Sequence, residues 1–145
     1  MTEIKRQQRF IKKPKEMEGG PYTMWKLYTI EEYHSDGTVT IKKAYKINPG
    51  FIAMLPKSYR EFNLDSRLSD IFEDFNNEIM GNTRIGVVIR DLKSPKKDFI
   101  FTVRELREKR VSVNELSQRP NISINIAIKF KMMLEFYGFS DILLD

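Results

Sequence analysis

The run His34-Ser35-Asp36 contains the three side-chain types of a hydrolytic triad. Those groups act only when separate elements bring them together in space. Three consecutive residues ahead of Gly37 read instead as a turn, and His34 is the only histidine. A second set is Asp70, Glu73, Asp74 and Glu78. Asp70 and Asp74 stand four apart, as do Asp74 and Glu78, so one helix face could offer paired carboxylates to Mg²⁺ for phosphodiester chemistry. The wet side of an amphipathic helix accounts for the same residues. The glycine-bearing stretches EGGP and PGF lack the spacing of a phosphate loop. The chain has no cysteine, which excludes disulfides, zinc–thiolate sites and thiol catalysis. The expectation is a non-enzymatic protein with no catalytic residue, no metal site and no cofactor.

Charge points instead to binding. The 145 residues carry a net charge of +5, unevenly spread. Residues 1–15 hold six Lys/Arg against one acid, and residues 84–131 hold twelve against five. Two basic segments in one chain are the electrostatic footprint of a phosphate backbone as partner. No apolar run approaches a membrane span, the N-terminus lacks the apolar core of a secretory signal, and no repeat is visible. A cytoplasmic protein without a membrane partner is expected.

The elements that must position these charges follow from pattern. Residues 1–20 read as a flexible basic arm, with Lys12 and Lys13 among its cations, ended by Gly19-Gly20-Pro21. One compact domain is expected over 21–145. Residues 22–47 alternate as a β-hairpin about Asp36-Gly37, where positive φ suits glycine and is tolerated by aspartate. Tyr22, Trp25, Tyr28 and Tyr33 lie on it beside Lys26 and read chiefly as core, with stacking of single-stranded bases as the other use. Asn48-Pro49-Gly50 closes the hairpin. Residues 51–80 read as helical, with an apolar stripe at 64, 68, 71, 72, 75 and 79, a cap at Asp65 or Ser66 and an end at Gly81. Residues 84–92 favour a helix capped by Asn82 or Thr83. Thr102-x-x-Glu105 and Ser112-x-x-Glu115 are capping boxes. The second opens a short helix stopped by Pro120, Asn121 suits a left-handed turn, and Ser123 caps a last helix that Gly138 closes. The fold class is therefore α+β: an N-terminal β-hairpin, then a helical bundle ending in a helix-turn-helix.

The spacing of Val111, Glu115, Leu116, Ile122, Ser123, Ala127, Leu134, Glu135, Gly138 and Phe139 resembles the helix-turn-helix of winged-helix DNA-binding proteins. The order of a hairpin followed by helices also resembles, more loosely, the winged-helix replication initiators of small plasmids and phages. Pro120-Asn121 replaces the family's usual turn glycine, and no pair of strands follows to form a wing. The first resemblance implies that the helix after Ser123 lies in the major groove of duplex DNA. Ile126, Phe130, Met133 and Tyr137 then face inward, leaving Ile124, Asn125, Ile128, Lys129, Lys131 and Met132 outward. Ser123 and Asn125 would stand at the groove, with Arg104, Arg107, Arg119, Lys129 and Lys131 on phosphates. Transcription control or replication initiation would be the setting. Palindromic operators tilt the expected oligomeric state toward a homodimer. The alternatives are an adaptor that docks a polymerase or replication protein through Ile124, Ile128 and Met132, and a single-strand or RNA binder that uses the aromatic hairpin.

Overall fold

The computed structural model describes residues 4–10 and 24–144. The chain is α+β and divides into two units, one running up to Ala53 and the other spanning Met54–Leu144. The expected span of 21–145 falls across both units. Most buried apolar residues, from Leu68 to Leu143, belong to the second unit, and Ile47 is the exception among those described.

The first unit is an antiparallel sheet of β1 (Ile4–Phe10), β2 (Trp25–His34) and β3 (Val39–Ile47), in that order. The flexible arm is thus corrected over 4–10, where the chain adds a strand to the hairpin. Few apolar residues are needed for that, because β2 offers a row of backbone donors and acceptors that a neighbouring strand satisfies. The register sets Arg6 opposite Glu32. Between β2 and β3 the expected turn is present, with Gly37 at φ 90°. Asp36 does not share the positive φ. Its carboxylate accepts from the Thr38 N–H (2.9 Å) and hydroxyl (2.6 Å). Asn48-Pro49-Gly50 ends the sheet, since β3 stops at Ile47, and also starts a helix: the Asn48 side chain accepts from the Gly50 N–H at 3.0 Å, and α1 is Pro49–Ala53.

In the second unit, α2 (Leu68–Asp74) runs on into a π-helical stretch, Phe75–Ile79. The Met80 N–H donates to the Phe75 carbonyl at 2.8 Å, closing the wider turn. The wider turn changes the phase of the stripe: Leu68, Ile71 and Phe75 are buried, whereas Ile79 is only partly covered. Neither Asp65 nor Ser66 caps α2. Its N-cap position is Arg67, with no side-chain bond, and Ser66 accepts from the Asn63 N–H instead. α3 is Ile85–Leu92, entered through Arg84 at φ 62°. α4 is Val103–Glu108 with the full reciprocal capping box of Thr102 and Glu105. α5 is Val113–Ser117 and α6 is Ile124–Phe136. Ser112 caps α5 as expected, but Glu115 bonds Arg119 and not the Ser112 backbone, so that box is half made. Leu144 lies parallel to Ser112, bonded to Val111 and Val113, and the adjacent Ile142 and Leu143 are buried. No described helix is long and apolar enough to cross a membrane.

Candidate nucleic-acid interface

The turn from α5 to α6 is built as its residues suggest. Asn121 takes φ 66°, Ile122 is buried, the Ser123 hydroxyl accepts from the Ile126 N–H at 3.3 Å, and Gly138 leaves α6 at φ 92°. A β-branched residue at 121 would carry the left-handed strain that asparagine tolerates. Asn121→Val is expected to cost about 1–2 kcal/mol, read from the urea midpoint, with Asn121→Gly close to wild type.

The outward face assigned to α6 is not there. Ile128 and Met132 are 0% exposed and Lys131 is 7% exposed, so three of six expected surface positions are buried. The cause is that α6 sits at the centre of the unit. It packs on α5 and α3, and Ile126, Ala127, Phe130, Met133 and Leu134 are buried on its remaining sides. Asn125 is exposed, whereas Ile124 and Lys129 are partly covered. Lys131 is therefore turned away from any phosphate in this arrangement, and Ile128 and Met132, two of the three anchors expected of an adaptor, are buried with it. What α6 presents is a short strip at its start.

Arg119 is also corrected. Its guanidinium donates to Asp91 (2.8 Å), Asp98 (2.6 Å) and Glu115 (2.9 Å), and its side chain is 14% exposed. Burial opposes its charge, but the three carboxylates outweigh burial and raise its pKa further. It ties α5 to α3 and to the loop after α3, and its hydrogen-bonding capacity faces protein. Arg104 stands on the surface with Asp65 at 2.9 Å. That pair is exposed and weak, so it can open toward a phosphate. Arg107 is exposed on α4, and Lys109 and Arg110, which sequence reasoning passed over, are exposed immediately after it. No carboxylate among the described residues pairs with Arg107, Lys109 or Arg110. The signal for them was the tetrapeptide Arg-Glu-Lys-Arg at 107–110. Lys12 and Lys13 lie outside the described residues.

The catalytic candidates do not assemble. His34 bonds Thr40 at 2.8 Å, while Asp36 bonds Thr38. Asp74 is 7% exposed, whereas Asp70 is on the surface. Asp74 accepts from the Ser58 hydroxyl (2.7 Å) and the Tyr137 hydroxyl (2.5 Å). Among the described residues no group of acids and histidine is placed to hold a metal ion. Tyr137 packs on Phe62, Phe75 and Phe136 at ring-centroid distances of 5.2, 6.2 and 4.9 Å. Burial and the Asp74 carboxylate both push its hydroxyl pKa up. The cluster fastens the 54–67 segment to α2 and the end of α6. Tyr137→Phe is expected to cost about 1–3 kcal/mol, since the Asp74 carboxylate loses a charged hydrogen bond; thermal unfolding reads this directly.

Comparison with protein-family models, with curated proteins and with solved structures returned no match.

Proposed function

We propose that the unit spanning Met54–Leu144 is a non-enzymatic module that binds duplex DNA, holding the phosphate backbone with Arg107, Lys109 and Arg110 and approaching the groove with the start of α6. The supporting observation is the run of exposed cations at the end of α4 without a carboxylate partner, directly ahead of a capped helix–turn–helix. Arg104 joins them by leaving Asp65. Lys129 adds charge beside Asn125, the single exposed amide able to hydrogen-bond a base edge on α6. A module with one such amide and several phosphate contacts binds with modest sequence preference. Its setting is transcription control or replication initiation in the cytoplasm. The winged-helix-like arrangement is part of this reading, with Leu144 beside Ser112 as the place where a wing strand would attach.

A titration of labelled duplexes of differing sequence tests it. Replacing Arg107, Lys109 and Arg110 by alanine should weaken binding about tenfold or more at low salt, equally for every sequence. Asn125→Ala should leave overall affinity nearly intact and reduce the spread between sequences. Unchanged affinity in the triple variant would refute the placement.

A further inference from the structure

The sheet of the first unit has two unlike faces. Strand alternation puts Trp25, Leu27, Tyr33, Val39, Ile41 and Tyr45 on one of them, as the pairings Leu27 with Tyr45 and Tyr33 with Val39 require. The opposite face carries Lys26, Glu32, His34, Thr40 and Lys46 together with Tyr28, Ile30 and Ala44. The apolar face is open: Ile41 is 67% exposed and Val39 48%, while Trp25, Leu27, Tyr33 and Tyr45 are each partly exposed. Trp25 and Tyr45 meet edge to face with ring centroids 5.4 Å apart, forming a ledge of aromatic surface.

Such a face needs an occupant, and charge selects it. On this face the register places Lys5, Arg9 and Lys43 against one acid, Glu31. The cores of protein–protein interfaces are poor in lysine, so a protein partner fits this composition badly. Unpaired bases fit it well: their flat faces stack on aromatic rings while their phosphates meet the cations, and every base offers such a face. Duplex DNA keeps its bases stacked on one another and cannot use the ledge. On the same face Tyr33 donates a hydrogen bond to Glu31. Strands of up to ten residues extend about 33 Å at ~3.3 Å per residue, room for several nucleotides.

We propose that this face is a second nucleic-acid site, which binds single-stranded DNA by stacking bases on Trp25, Tyr33 and Tyr45. It involves different residues from the duplex site and does not depend on it.

Trp25 is the only tryptophan, so its fluorescence reports on the face. The full chain is titrated with an oligothymidylate of about ten nucleotides, a length within the reach of a small sheet. Saturable quenching is expected, weakening with salt. Tyr33→Ala should lose about 5- to 150-fold in affinity. Ile41→Glu changes a side chain already in solvent, so circular dichroism should be unchanged while its carboxylate repels the strand and quenching falls by a similar factor. The variant with alanine at 107, 109 and 110 should quench as wild type does, and excess duplex should not displace the oligonucleotide. Absence of quenching at low salt, wild-type affinity in Ile41→Glu, displacement by duplex, or tighter binding of oligouridylate would each overturn the assignment. The first two leave the duplex reading standing, because they concern residues outside the second unit.

Discussion

Replacing Arg119 by alanine is expected to destabilise the second unit by about 2–4 kcal/mol, as measured by urea unfolding. Three carboxylates converge on this guanidinium, and two of them, Asp91 and Asp98, are only 16% and 21% exposed at the side chain. Removing the cation leaves those two charges facing each other with little water to screen them. The figure is set below that for a fully buried pair because Glu115 is 51% exposed and the others keep some solvent. Lysine at 119 should recover only part of the loss, since an ammonium cannot present the planar fork that reaches Asp91, Asp98 and Glu115 together. Duplex affinity of the folded alanine variant should stay at the wild-type value. That outcome separates a structural arginine from the phosphate contact its position in the sequence suggested.

The same cluster sets an acid limit. Burial opposes ionisation of Asp91, but the bonds from Lys97 and Arg119 outweigh it and hold the carboxyl below its ordinary range. Its folded-state pKa is thus below the unfolded value near ~3.9. The stability it contributes is present above that value and is lost as pH falls through the folded pKa. Unfolding free energy followed downward from neutral pH should drop below about pH 4, and the drop should be smaller in Arg119→Ala, whose Asp91 has lost one of the two cations holding it ionised.

Ile128→Ala and Met132→Ala are each expected to cost about 2–5 kcal/mol in the same unfolding assay. Both side chains are 0% exposed, so truncation leaves a cavity in addition to losing the transfer free energy. Had these residues been anchors for an outside partner, truncation would leave the isolated protein unchanged or slightly more stable. Asn125→Ala, on the exposed strip, should stay within about 0.5 kcal/mol of wild type. The contrast between positions 125, 128 and 132 defines the part of α6 that meets solvent.

Local signals in the sequence were readable where short-range chemistry decides the outcome. Thr102, Ser112 and Ser123 cap their helices, Gly37 and Gly138 take positive φ, and Asn121 makes the left-handed turn before α6. Each depends on neighbours a few residues away. The surroundings of α6 were misread because an inward stripe was assumed. Nine of its thirteen residues are apolar (INIAIKFKMMLEF), and a helix apolar on nearly every side is a buried one. The destination of Arg119 could not be read, because Asp91 and Asp98 reach it only through tertiary folding. The strand at Ile4–Phe10 was hidden for a related reason: backbone pairing with β2, more than an apolar pattern, makes it a strand. The π-helical turn after Asp74 has no pattern in the sequence that we can identify, and it decides the phase of the residues that follow it.

The central claim is that duplex DNA is held at the end of α4 and not along α6. The salt dependence of binding tests it most directly, because each phosphate contact contributes about 0.9 to the slope of log affinity against log salt. The full chain and its variant with alanine at 107, 109 and 110 should differ in slope by about 2.7, with wild-type unfolding stability in both. Equal slopes, or an equal loss of slope on replacing Lys129 alone, would contradict it.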